Sequence, residues 1–146
     1  MTTPEYKVVE WSGEPGLMVL AQEWVDECGI DNYSPDAAMK DALDTQNRMD
    51  CALFILTHND KMVGGFSIHV NEMFYTDDLS AVVSYLYVTP KHRGAWLKLI
   101  VRARRWAVEM GCKELLISSN EKTVSTDKQW ESAGYEKRET VYGRAV

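Results

Sequence analysis

The sequence predicts a mixed α/β domain, a central sheet of about six strands flanked by about four helices. Three observations carry this. Short apolar runs alternate with longer stretches in which apolar residues recur at helical spacing. The longest apolar run is followed by Thr89-Pro90, a basic turn, an amphipathic helix and another apolar run. That is the order of a strand, a crossover helix and a parallel strand. A chain of 146 residues that is 45% hydrophobic and 26% charged suits one folded domain with one core, so residues 1–146 are expected as a single unit.

The elements follow in order. Tyr6 to Trp11, "YKVVEW", alternates and reads as a short strand, broken by "SGEPG". "GLMVLAQEWVDECG" reads as a helix because Leu17, Leu20, Ala21, Trp24 and Cys28 share a face, with Gly29 as its C-terminal cap. "SPDAAMKDALDTQNRM" starts a second helix, with Ser34 as N-cap and Pro35 in the first turn. Cys51 to His58, "CALFILTH", is short and apolar, hence a buried strand. Asn59-Asp60 turns it into the partner strand "KMVGGFSIHVNEMF", where Gly64 and Gly65 predict a bulge or a close backbone approach. After the loop "YTDDLS", Ser80 to Val88 is the next strand. In the following helix Trp96, Leu99, Ile100, Ala103, Ala107 and Met110 form the apolar stripe. Lys98, Arg102, Arg105 and Glu109 lie opposite, and Gly111 ends it. "CKELLISSN" predicts a strand, "STDKQWESAG" a short helix capped by Ser125, and "YEKRETVYGRAV" a final strand.

Composition limits the function. The net charge of -6 repels nucleic acid and anionic membranes as a whole. Yet no acidic residue occurs between Asp78 and Glu109, and Lys91, Arg93, Lys98, Arg102, Arg104 and Arg105 concentrate there. An anion site, if present, is therefore local. A nucleic-acid face and a merely solvated helix face are the competing readings, and the acidic remainder argues against nucleic acid as a partner. Cys28, Cys51 and Cys112 are odd in number and far apart, which fits reduced thiols better than a disulfide framework. The histidines His58, His69 and His92 have no zinc-type spacing, so no metal is expected. The first residues carry no basic-then-apolar leader, and no apolar run approaches the ~20 residues that span a bilayer. A cytoplasmic protein without a membrane partner is expected. Oligomeric state leaves no trace in the sequence.

The stretch "YLYVTPKHRGA…LIVRARRWAVEMGCKELLISSN" resembles the "L-x-V-x-P-x-x-R-G" segment, helix and strand of the GNAT superfamily of N-acetyltransferases. "KMVGGFSI" is similar to the family's glycine-containing hairpin strand, and "WESAGY" to its short segment near the C-terminus. The order and spacing of these pieces cover most of the chain. The resemblance implies a GNAT-like mixed sheet and an acyl-CoA-dependent N-acyltransferase, with acetyl-CoA as co-substrate and a small-molecule or protein amine as acceptor. It implies that Leu86, Tyr87 and Val88 line the pantetheine arm through their backbone. Arg93, Gly94, Ala95, Trp96, Leu97 and Lys98 would then form the pyrophosphate turn, with Arg102 or Arg105 reaching further phosphate and Asn120 also on the CoA side. Independently of any family, a strand that turns into a helix presents free N–H groups and the positive end of the helix dipole, worth about 0.3–1 kcal/mol to an anion.

The chain departs from the family pattern at three places. Trp96 and Lys98 stand where the turn carries small residues. Trp130 stands where many members have a tyrosine that protonates the leaving thiolate, and an indole has no proton acidic enough for that. Tyr135 and Tyr142 are the substitutes at hand. The strand "AVVSYLY" lacks a carboxylate base and offers Ser84, Tyr85 and Tyr87, which leaves Glu72, Asp77 and Asp78 as acids beside it. The catalytic candidates are therefore Glu72, Tyr85 and Tyr135. These departures support an alternative: a GNAT-like protein without catalysis that binds and modulates a partner protein, similar to short acidic members found in bacteriophage genomes.

Overall fold

A computed structural model describes residues 5–72, 76–118, 127–138, 142 and 144. The elements run β1 (Tyr6–Glu10), α1 (Gly16–Cys28), α2 (Pro35–Gln46), β2 (Cys51–His58), β3 (Lys61–Glu72), β4 (Leu79–Val88), a 3-10 turn (Pro90–Ala95), α3 (Trp96–Glu109), β5 (Glu114–Ile117) and α4 (Asp127–Ser132). Among the described residues the strands form one sheet in the order β1-β2-β3-β4-β5. The first four are antiparallel neighbours, and β4 and β5 are parallel.

Among the described residues the sheet has five strands. The expected last strand falls on 135–146. Tyr135 to Arg138 carry no strand, and most of the remainder lies outside the described residues. Arg138 nevertheless forms an ion pair with Glu114 of β5, so the chain returns to that edge. The Ser125 cap also lies outside the described residues.

Alternation along β2 explains the layers. Ala52, Phe54 and Leu56 face the larger core, which α3 covers with Trp96, Leu99, Ile100, Ala103, Trp106 and Ala107. Ile55 and Leu53 face the other way, packing with Trp11, Ala42, Leu17, Met39 and Met62 beneath α1 and α2. The caps form as the sequence predicts. The Ser34 hydroxyl accepts from the Ala37 N–H, and Gly29 takes the left-handed conformation at φ 68°.

Gly64 and Gly65 are where strands approach closely. A Cβ on Gly64 would lie 2.7 Å from the Tyr87 carbonyl oxygen, and one on Gly65 2.7 Å from that of Phe54. Both expected features occur, because the β2–β3 register also shifts next to Gly64 and the β3–β4 register next to Gly65. Arg102 departs from its expected place on the solvent face. Its guanidinium lies 4.4 Å from the centroid of the Phe54 ring, with one terminal nitrogen buried and without a hydrogen bond. A long aliphatic stem and a stacked planar cation let it serve as packing. Cys51 and Cys112 are free thiols, and all three cysteines, Cys28 included, are half-buried. Among the described residues no helix is long and apolar enough to cross a membrane.

Candidate functional site

The site begins at a break in β4. Its first half, Ser80 to Val83, pairs with Glu114 to Ile117 of β5, and the Ser118 N–H closes the ladder on the Val83 carbonyl. Beyond Val83 β4 keeps β3 as its neighbour, and among the described residues nothing pairs with its other edge. A bulge marks the change. Gly65 faces Tyr87 and Ser67 faces Ser84, so Phe66 alone opposes both Tyr85 and Leu86. Tyr85 adopts φ 55°, a left-handed conformation rare for a bulky residue. Leu86, Tyr87 and Val88 have buried side chains, so they offer backbone groups to anything lying along this edge.

The bulge also sorts the side chains. Leu86 and Val88 enter the core under α3. Tyr85 points outward, 62% exposed, with its ring 5.7 Å from Trp24 of α1 in an edge-to-face contact. The Tyr87 hydroxyl donates to Glu27 of α1 at 3.0 Å. Burial and then the Glu27 carboxylate push the Tyr87 phenol well above its usual pKa, so it stays neutral. Arg93 completes this group: its guanidinium pairs with Glu27, and its Nε donates to the Val88 carbonyl at 3.1 Å.

The end of β4 does not pass straight into α3. The 3-10 turn intervenes, with Thr89 before it and Pro90 at its first position. The Trp96 N–H is bonded to the Arg93 carbonyl, so the positive end of this helical unit sits at the start of the turn rather than at Trp96. Lys91, His92, Gly94, Ala95 and Lys98 line a cavity of about 230 Å³ together with Tyr6 of β1. The Tyr6 hydroxyl and His92 Nδ1 are 2.8 Å apart, and the His58 ring lies 4.7 Å from His92. Burial, His58, Lys61 and Lys91 hold the His92 pKa below its usual value.

The expected turn residues thus separate. Gly94, Ala95 and Lys98 share one cavity, Arg93 faces Glu27, and Leu97 is exposed. Trp96 is buried 4.6 Å from Trp130, and Trp130 lies 5.6 Å from Tyr135. Trp96 therefore packs α3 against α4. The Trp130 Nε1 is buried without a hydrogen bond among the described residues, and desolvation raises the Tyr135 phenol pKa. Tyr142 is 91% exposed. Glu72 pairs with Leu79 at the far end of β4, six positions from Tyr85, or about 20 Å at the rise of a strand. The structure does not bring it to the bulge. Asn120 lies outside the described residues.

Sequence reasoning missed Glu27, Trp24, Tyr6 and Lys91. Glu27 and Trp24 look like ordinary residues of an amphipathic helix. Lys91 belongs to the basic cluster, but nothing in the sequence sets it apart as a cavity-lining residue.

No family model matches the sequence, and no curated protein matches it. Solved structures do match. An aminoglycoside N-acetyltransferase in complex with CoA is 15% identical with TM-score 0.79, covering 99% of this chain and 97% of its own. A transcriptional regulator from Bacillus halodurans is 14% identical with TM-score 0.80, covering 97% and 100%. Glucosamine-6-phosphate N-acetyltransferase from Arabidopsis thaliana is 10% identical with TM-score 0.71, covering 97% and 98%. Identities this low establish the fold alone: the chain has the GNAT acetyltransferase fold. None of these similarities supports a bacteriophage-type member.

Proposed function

We propose that the protein transfers an acetyl or other acyl group from acyl-CoA to an amine. The observation that carries this reading is the β4 edge that, among the described residues, is left open from the Tyr85 bulge to Val88, just ahead of the turn that bears Lys91, Gly94 and, at the start of α3, Lys98. An extended acyl-pantetheine arm fits an unpaired strand edge, as a peptide does in strand addition. Its phosphates fit beside Gly94, Ala95 and Lys98, with Lys91 as a second cation and Arg93 holding the turn in place. Acetyl-CoA is the acyl donor in this reading, which is supported by one similar structure in complex with CoA.

In the proposed step the lone pair of a neutral amine adds to the thioester carbonyl carbon. The C–N bond forms, the C–S bond breaks, and the thiolate leaves. The proton lost by nitrogen passes to a base or water, and the sulfur is protonated to give the free thiol. Tyr135, kept neutral by desolvation, is the candidate acid, and Tyr85 is a second phenol, on the β4 bulge itself. For proton removal the bulge has Glu23 and Glu27 nearby on α1, whereas Glu72 would require the acceptor at the far end of β4.

Thermal melts with acetyl-CoA test the reading. Ligand at about 100 times its dissociation constant adds about 2.7 kcal/mol of stability. A rise in Tm that Lys98→Ala or Lys91→Ala reduces, together with thiol release in the presence of an amine, supports it. An unchanged Tm at millimolar acetyl-CoA overturns it. The second reading, a partner-binding protein without catalysis, is favoured by the Glu27–Arg93 pair, which engages the turn's arginine within the protein. CoA binding without transfer to any amine would support that reading.

A further inference from the structure

Tyr85 is held in a costly conformation with its ring exposed. A left-handed L-residue costs about 1–2 kcal/mol, and such outliers persist only where surrounding structure holds them. Here the bulge turns the ring toward α1, where it meets Trp24 at an interplanar angle of 83°. Two aromatic rings at right angles make a corner, and Tyr85 is 62% exposed within it. Glu23, adjacent to Trp24 in sequence, lies one helical turn before Glu27 on the same side of α1. Glu27 is engaged by Tyr87 and Arg93, whereas Glu23 is exposed and makes no hydrogen bond or ion pair among the described residues. Both carboxylates are close enough to the Tyr87 hydroxyl to raise its pKa. An electron-rich corner beside an unneutralised carboxylate selects a cation: the ring face attracts it, Glu23 pairs with it, and the net charge of -6 draws it in.

We propose that the Trp24–Tyr85 corner and Glu23 form the acceptor subsite, and that the acceptor is an aliphatic di- or polyamine. This rests on the acyltransferase reading and specifies it. The nitrogen that reacts must be neutral, but a second ammonium on the same molecule stays charged, and the corner holds that second group while the first reaches the open edge of β4. A monoamine fills only one of these positions.

Calorimetric titration of spermidine into the full chain tests this, with n-propylamine as the single-cation comparison. Expected are saturable 1:1 binding and weaker binding of n-propylamine. Glu23→Gln and Tyr85→Asn should each raise the spermidine Kd on the order of fivefold, the size of one cation–π contact or ion pair. Asparagine tolerates the left-handed conformation, so Tyr85→Asn tests the ring rather than the fold. Asp44→Asn, on the exposed side of α2, should leave Kd unchanged. Equal weakening by all three variants would mean diffuse attraction to an acidic surface and would overturn the proposal. So would equal affinity for n-propylamine, or no saturable binding. Acetyl-CoA melts on the same samples separate the two readings. If acetyl-CoA binds and spermidine does not, this inference fails and acyl transfer stands. If spermidine binds at the corner and acetyl-CoA does not bind, the subsite stands and the reaction does not.

Discussion

At the scale of single residues, the site depends on two tyrosines of one strand that do opposite things. Tyr85 stores backbone strain, whereas Tyr87 uses its hydroxyl to anchor α1. Replacing Tyr85 by glycine removes the left-handed penalty of about 1–2 kcal/mol and forfeits one ring contact. The melting temperature of Tyr85→Gly is therefore expected to match or exceed that of the parent, an unusual outcome for deleting an aromatic side chain. Tyr87→Phe should lower stability by about 1 kcal/mol in denaturant titrations, since it removes a buried donor while Arg93 still pairs with Glu27. Neither role was legible in the sequence. A non-glycine residue with positive φ carries no compositional mark, and the Arg93–Glu27 pair joins residues 66 apart, a contact that exists only once the turn and α1 are placed.

At the scale of elements, two glycines beside the site should respond differently to the same methyl group. Gly64→Ala drives a Cβ into the Tyr87 carbonyl, and its cost in denaturant unfolding is expected at about 1–3 kcal/mol. A Cβ on Gly94 meets nothing within 4 Å, so Gly94→Ala should leave unfolding unchanged and, under the proposed function, weaken acyl-CoA binding by narrowing the cavity. The helices and inner strands were readable because burial on one or both faces imposes a period on Leu20, Val25, Leu99 and Ala103 or a continuous apolar run such as Cys51 to His58. The 3-10 turn was not readable. Pro90, Arg93 and Gly94 announced a helix start, but that it begins as a 3-10 turn, with the Trp96 N–H already bonded to the Arg93 carbonyl, depends on hydrogen bonds that no residue type specifies. In the sequence Trp96 belonged to the apolar stripe of α3 and also stood where the family's turn carries a small residue. Its partner Trp130 is what turns it inward, and the two are 34 positions apart.

At the scale of the whole molecule, pH bounds the fold on two sides. His92 has a folded pKa below its unfolded value, so its contribution is complete above about pH 6.5 and is lost as pH falls through the folded value. Cys51, Cys112, Tyr33, Tyr87 and Tyr135 have folded values raised by burial. Their contribution is complete below their unfolded pKa values, about 8.5 for thiols and about 10 for phenols, and is lost as pH rises beyond them. Stability measured by melting should therefore form a plateau between about pH 6.5 and 8.5 and fall on both sides. His92→Asn should flatten the acid limb, and Tyr87→Phe the alkaline one.

The Glu27 carboxylate touches both flanks of the sheet: it belongs to α1, and its partner Arg93 belongs to the turn that leads into α3. An anion that draws Arg93 toward itself leaves Glu27 less neutralised, one helical turn from Glu23. Each flank then senses the occupancy of the other, and by thermodynamic reciprocity the effect is equal in both directions. Under the proposed reading donor and acceptor each tighten the other's binding, and Glu27→Gln makes the two bindings independent.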